Sequence, residues 1–271
     1  MKTIKTIMLA ITLITFVGCE RVVDVDLDTA EPRLVIDASI HWLKGTDGAE
    51  QTIYLTTTTG YYNTQIPTVS NAVITVTNGT TTFDFIETEP GTYVCTDFVP
   101  ALEQTYVLTV IANGQTYTAT ETLKAVPEVG EIEQNNEGGF TGEDIEVKIF
   151  FTDNGATDDY YLSRFKVNFN AIPEFDVTED KFFQGNTIFA LFSDEDLEAG
   201  STLDFRLSGI SQRYYNYMNI LLSISGSNGG SPFSSPPATV RGNIVNTSDP
   251  DNYALGYFSL SESVEVNYVV H

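Results

Sequence analysis

The sequence predicts a mostly β protein with two β-sandwich-like domains, the first immunoglobulin-like and the second carrying one short amphipathic helix. Three observations lead there. Apolar residues recur at every second position through segment after segment, the period of half-buried strands. Strand-favouring rings are plentiful, with 14 Tyr and 17 Phe, and such rings suit a pleated surface. Glycine-bearing turns separate the alternating runs at short intervals. Hydrophobic residues make up 42% of the chain. That is ample for packed cores, so the formal charge of −24 does not signal global disorder.

At the N-terminus, Lys2 and Lys5 precede an apolar run over residues 7–17, and Gly18 closes it before Cys19. A basic start, a short apolar stretch and a small residue before the cut describe a secretory signal over 1–18. The run falls short of the roughly 20 residues that a membrane-spanning helix takes. A Cys directly after Gly18 makes the segment look like a bacterial lipoprotein signal, with Cys19 as the lipid-attachment residue. Phe16 departs from that pattern, since Leu is usual at its place. Residues 19–32 follow as an acidic tether with Asp24, Asp26 and Asp28. The chain holds two cysteines, Cys19 and Cys95. With the first committed to lipid, no intrachain disulfide can form. Cys95 alternates with Tyr93 and reads as a buried, inert thiol.

The first sandwich is expected over residues 33–125. Leu34, Ile36, Ala38, Ile40 and Trp42 share one face of the first strand, while Asp37, Ser39 and His41 share the other. A second strand follows over 52–57. Ala72, Ile74 and Val76 alternate with Val73, Thr75 and Thr77. Asn78-Gly79 then offers the left-handed backbone of a two-residue hairpin turn into Phe83 and Phe85. Gly91-Thr92-Tyr93 opens another strand, and Tyr106, Leu108 and Val110 mark the next. Asn113-Gly114 turns the chain into Tyr117 and Ala119. About seven short strands with glycine turns between them form the pattern of an immunoglobulin-like sandwich.

Residues 126–142 lose the alternation and gather Pro127, Asn135, Asn136, Gly138 and Gly139, so a linker is expected there. The second domain, 143–271, resumes with Ile145, Val147, Ile149 and Phe151, then Phe165, Val167 and Phe169. Further strands are expected over 187–192, 203–207 and 264–270. Tyr214, Tyr217, Met218 and Leu221 fall at i, i+3, i+4 and i+7, the stripe of a helix over 211–222. Ser208 or Ser211 is placed to cap it. A Gly/Ser/Pro loop over 225–237 follows, with Phe233 expected to dock into the second domain.

The composition excludes several functions. With 37 Asp+Glu against 13 Lys+Arg, the chain lacks the dense basic face that nucleic acid needs. Docking by charge onto anionic lipid is disfavoured for the same reason. Two histidines, His41 and His271, with no G-x-S-x-G elbow, leave a Ser-His-acid triad without support. A nitrogen and sulfur zinc site lacks ligands, and no Gly-rich phosphate loop opens a helix. No motif calls for a cofactor. Carboxylates are the plentiful chemical groups, and a facing pair could hydrolyse glycosides, but no motif nominates one. Asp153-Asn154, Asp158-Asp159 and Asp194-Glu195-Asp196 could hold Ca²⁺ in loops. None has EF-hand spacing, and solvated loops account for them better. Tyr61 and Tyr62 lie in a loop between strands, where exposed rings could grip a ligand or partner and buried rings would fill core. Tyr214, Tyr215 and Tyr217 carry the same choice, and their helical spacing favours core.

The whole plan resembles the domain of unknown function 4249 family of Bacteroidota lipoproteins. The likeness rests on Leu34-Val35-Ile36-Asp37, Asn71-Ala72-Val73 ahead of Asn78-Gly79, and Gly91-Thr92-Tyr93. Farther on it rests on Ser231-Pro232-Phe233-Ser234, Gly242-Asn243-Ile244 and Leu255-Gly256-Tyr257-Phe258. Ser231 departs from the Asn expected before Pro-Phe. The resemblance implies an outer-membrane lipoprotein encoded beside a TonB-dependent receptor, with an accessory role in uptake. It supplies no catalytic residues. Glu20, Asp24 and Asp26 resemble the export signals that send such lipoproteins to the cell surface, and an ordinary tether explains them as well. The leading expectation is a lipid-anchored binding or accessory component that partners a TonB-dependent receptor in nutrient uptake, at the cell surface rather than the periplasmic face. The alternative is a cell-envelope adhesin or structural module with no transporter partner.

Overall fold

The computed structural model describes residues 31–60, 62–139, 142–225 and 240–271. The signal over 1–18, Cys19, most of the tether, Tyr61 and Phe233 lie outside the described residues. Fifteen strands and one helix make up the described chain. The strands before the helix are β1 (Leu34–Leu43), β2 (Gln51–Thr57), β3 (Val73–Thr77), β4 (Thr82–Glu89), β5 (Thr92–Cys95), β6 (Thr105–Ala112), β7 (Gln115–Thr122), β8 (Val129–Gly138), β9 (Asp144–Thr152), β10 (Tyr160–Val167), β11 (Glu174–Glu179), β12 (Thr187–Ser193) and β13 (Thr202–Ile210). Helix α1 (Gln212–Ser225), β14 (Val245–Asn246) and β15 (Leu255–Val269) complete the order. The fold is mostly β, with one short helix.

Hydrogen bonding links twelve strands in the order β11-β10-β13-β15-β1-β2-β5-β4-β3-β6-β7-β14, and β12-β9-β8 form a separate sheet. The ribbon folds over on itself where β4 passes from β5 to β3. Ile36, Ala38 and Ile40 of β1 then meet Phe83, Tyr106 and Leu108 in one apolar core. The three-stranded sheet covers the other half of the ribbon. There Val147, Ile149 and Phe192 pack on Phe165, Phe205 and Leu207.

The period-two reading of the first half survives in detail. Ile36, Ile40, Ile53, Leu55 and Val76 are fully buried, as are Tyr93 and Tyr106. The Tyr93 hydroxyl donates to the Val69 carbonyl and accepts from the Ala72 N–H. Glu87 accepts from the N–H groups of Asn71 and Gly91. Hydrogen bonds from the Ser70 side chain, foremost, and those two amides hold its carboxyl below the usual range. Asn113 and Gly114 both have positive φ and make the two-residue hairpin between β6 and β7. Asn78-Gly79 does not. The Asn78 side chain caps the Thr80 and Thr81 amides instead, which widens the turn to the four residues between Thr77 and Thr82.

The C-terminal half differs from expectation in three places. The expected linker over 126–142 is mostly strand β8, paired with β9. Its apolar residues are few, and register shifts between Val129 and Ile132 and between Asn135 and Gly138 break the period of two. β11 was not expected either, since only Phe175 and Val177 alternate in its six residues. The final strand begins at Leu255 rather than 264. Ile244, Ala254, Phe258 and Leu260 belong to the first core, so 33–125 does not hold all of that sandwich. Residues Pro32–His271 form one compact unit.

Strand β15 closes this arrangement. Its residues 255–263 run parallel to β1, and 263–269 run antiparallel to β13. Beyond the reach of β13, the Asn243 side-chain amide bonds both the N–H and C=O of Phe258, as a neighbouring strand would. Gly256 has φ +94, and a Cβ there would lie 2.0 Å from the Ile36 carbonyl oxygen. Gly256→Ala is therefore expected to destabilise the protein by at least about 3 kcal/mol. Gly79→Ala, equally left-handed but facing open space, should cost only about 1 kcal/mol. Urea melts of the two variants check this.

Candidate functional site

Odd-numbered residues of β1 and β15 point away from the cores. Asp37, Ser39 and His41 stand beside Tyr257, Ser259 and Ser261 in register. Ser208 and Arg206 of β13 continue this outer face beside Ser263 and Glu265, and Leu162 and Arg164 of β10 extend it. Helix α1 lies across the far end of the face. Ser211 caps it, accepting from the Tyr214 N–H at 3.2 Å, while Ser208 instead bonds Ser263 at 2.8 Å. Met218 and Leu222 pack onto Leu162 and Ile210. Between the helix and β1 remains a cleft of about 690 Å³.

The wall on the helix side is aromatic. Tyr214 and Tyr217 are stacked at 6.1 Å, and both touch the Tyr257 ring, at 4.6 and 4.8 Å. Burial pushes the Tyr214 hydroxyl up to about 12 and raises that of Tyr217, so both stay protonated donors. The Tyr257 hydroxyl donates to Glu121, which also accepts from Ser211. The helix stripe expected to be core is thus divided. Met218 is buried, whereas Tyr214, Tyr217 and Leu221 border the cleft.

The floor and opposite wall are polar. Arg164 and Arg206 are direct cross-strand neighbours, an arrangement of like charges that destabilises a sheet. Arg206 is paired with Glu265, its Nε donating at 2.6 Å. Among the described residues Arg164 has no ion pair or hydrogen bond through its guanidinium. His41 sits between these arginines and Gln51, and its Nδ1 is sealed from solvent without a partner, as is Ser259 Oγ. Burial, then the charges of Arg206 and Arg164, lowers the His41 pKa to about 4. Asp37, held by the Ser39 hydroxyl at 2.8 Å, and Glu50 complete the lining.

Neither Arg164 nor Arg206 was singled out by sequence reasoning, and His41 was noted only as a polar-face residue. The available clue was positional. Three polar runs interrupt otherwise apolar strands on what proves to be one face. Tyr62 is 81% exposed and does not line the cleft. Cys95 is buried and its thiol is raised to about 11 by burial.

Two of the acidic pairs that suggested calcium do converge. Asp153, Asp159 and Asp180 each place an oxygen within 4.8 Å of the others. Their hydrogen bonds describe a clasp between two loops. Asp153 accepts from the Tyr161 hydroxyl at 2.6 Å and from the amides of Gly155 and Gly185 at 2.9 and 2.8 Å. Asp180 accepts from the Asp159 N–H at 2.8 Å. Burial is the largest cause raising the Asp159 and Asp180 carboxyls. Asp194 accepts from the Asp196 N–H, a local turn.

Stacked sheets over two apolar cores, one helix and a polar outer cleft define a β-sandwich protein. The chain belongs to the family described as domain of unknown function (DUF4249), whose model matches residues 20–266. Among curated proteins none matches the sequence. Solved structures with some likeness include a cytokine receptor complex, at 12% identity over 68% of this chain and 86% of that one, with a TM-score of 0.25. The chicken CNTN1 FN1–FN3 domains match at 12% identity over 64% of this chain and 57% of that one, TM-score 0.27. A two fibronectin type III domain segment from chicken tenascin matches at 12% over 66% and 90%, TM-score 0.21. No helix among the described residues is long and apolar enough to cross a membrane.

Two measurements follow from the geometry. Asp153→Ala strips three donors of their acceptor in a buried setting and should cost about 2–4 kcal/mol, read from thermal melts against Asp249→Ala, an exposed carboxylate that accepts from the Asp251 N–H, as control. His41 has a folded pKa below its ordinary 6.5. The unfolded chain therefore takes up the proton first, and stability falls as pH drops from 6.5 towards 4. That loss is on the order of 3 kcal/mol when complete. The stability difference between wild type and His41→Gln should be flat above pH 7 and shift against wild type between pH 6.5 and 4.

Proposed function

We propose that this protein is a lipid-anchored binding component of the outer membrane that works as an accessory to a TonB-dependent receptor in nutrient uptake. One observation carries the binding half of the reading. A cleft of about 690 Å³ lies within the 300–1,000 Å³ range of small-molecule sites. It keeps an uncapped guanidinium, a partnerless imidazole nitrogen and three clustered tyrosine rings. Folding alone has no use for such groups on one face, since unpaired buried polar atoms and adjacent like charges both cost stability.

The anchor and the partner rest on the N-terminal pattern ending in Cys19 and on what the resemblance to lipoproteins of this kind implies. Acyl chains on Cys19 would hold the protein stably, at about 0.8 kcal/mol per buried CH₂. The acidic residues after Cys19 support a cell-surface face.

Cys19→Ser should release a folded, soluble protein into the non-membrane fraction, and persistence in the membrane after carbonate extraction would count against the anchor. Tagged wild type, crosslinked and purified in mild detergent, should bring down a β-barrel receptor. Recovery of none would favour an adhesin or structural module instead.

A further inference from the structure

We infer that the cleft binds an acidic sugar, with its carboxylate on Arg164 and Arg206, its ring against the tyrosine wall and its hydroxyls on the polar strand edge. The inference rests on the binding reading above and names the ligand class.

The charge pattern selects the anion. Across β10 and β13 the two guanidiniums are in direct register, but Glu265 already occupies part of Arg206. Asp37 and Glu50 border the same cleft. The site thus offers one guanidinium without an ion pair, with a second fork beside it. A singly charged carboxylate fits, because guanidinium groups bind carboxylates through paired N–H donors. A doubly charged phosphate ester would meet Asp37 and Glu50 with one charge unmatched.

The remaining lining selects the body of the ligand. Tyr214, Tyr217 and Tyr257 present clustered rings, which suit the C–H face of a sugar. Facing them are Ser39, Thr52, Asp37 and Glu50, a set rich in oxygen acceptors for hydroxyl hydrogens. His41 contributes a neutral imidazole, since its pKa of about 4 leaves it uncharged at neutral pH. A wholly apolar carboxylic acid would strand these acceptors, and a neutral sugar would leave Arg164 unanswered.

Titration calorimetry on the full chain in mild detergent tests this with three probes: galacturonate, the neutral sugar galactose and glucose 6-phosphate. Galacturonate should bind, and both other probes should bind at least about 10-fold more weakly. Arg164→Met should weaken galacturonate binding by about 10–100-fold, the range for losing a charge-assisted hydrogen-bonded pair. Arg164→Lys should restore part of it, because charge returns without the fork. Thermal melts of Arg164→Met should match wild type or exceed it, since a like-charge neighbour has been removed. Equal binding of galactose, preference for the phosphate ester, unchanged affinity in Arg164→Met, or no binding of galacturonate would each overturn the inference. Recovery of a β-barrel partner alongside any of those results would leave the accessory role standing and remove only the acidic-sugar assignment.

Discussion

The pairing of β15 with two different partners is the constraint on which the rest of the fold depends. One strand lies parallel to the first strand of the chain and then antiparallel to β13. It thereby fuses two sandwiches into one continuous sheet. Residues 257–263 are all buried, on both faces, and four of the seven are Ser or Glu rather than aliphatic. Two of the four have a polar partner in place. Ser263 shares a hydrogen bond with Ser208. Glu262 accepts from the Val126 amide and meets Lys44 at 3.6 Å, which fastens the crossover from the first sandwich to the second. Parallel neighbours so far apart in sequence must close a long loop before their contacts form. The first core is therefore finished only when the end of the chain arrives.

Electrostatics follow from this frame. Among the described residues of so acidic a chain, most cations are held close to a carboxylate or a ring. Lys44 meets Glu128 and Glu262, Lys124 meets Glu103, and Lys148 meets Glu146. Arg33 and Arg241 lie over the Tyr253 ring, at 3.9 and 3.8 Å. Arg164 stands apart because β10 and β13 set it against another arginine, and β15 gives the available glutamate to Arg206. The same register sends His41 into a partly dry position near two positive charges, which keeps it neutral.

Helix α1 turns this polar sheet face into a cleft. Its apolar side is too narrow to cover the whole face. Met218 and Leu222 settle over β10 and β13, and the tyrosines at the edge of the stripe are left half-buried along the cleft. A helix is thus anchored by core packing and lends its border residues to a site. Spacing alone cannot distinguish those two fates, because a buried stripe and its margin share the same period.

Local rules determined much of this protein. Alternation marked β1, β3, β6 and β9, a helical stripe marked α1, and Asn113-Gly114 set a hairpin turn, since each depends only on neighbours in the chain. The sequence motifs Leu34-Val35-Ile36-Asp37, Gly242-Asn243-Ile244 and Leu255-Gly256-Tyr257-Phe258 were legible as motifs, but their purpose was not. In the folded chain they meet. Gly256 lets β15 approach Ile36, and Asn243 completes the hydrogen bonds of Phe258. β8 escaped because its register shifts break the hydrophobic period, and β11 because it is short and carries only Phe175 and Val177. Arg164, Arg206 and His41 come from three strands, and only tertiary pairing puts them on one face. Period and turn chemistry act over a few residues, whereas strand order and register fix which distant side chains share a surface.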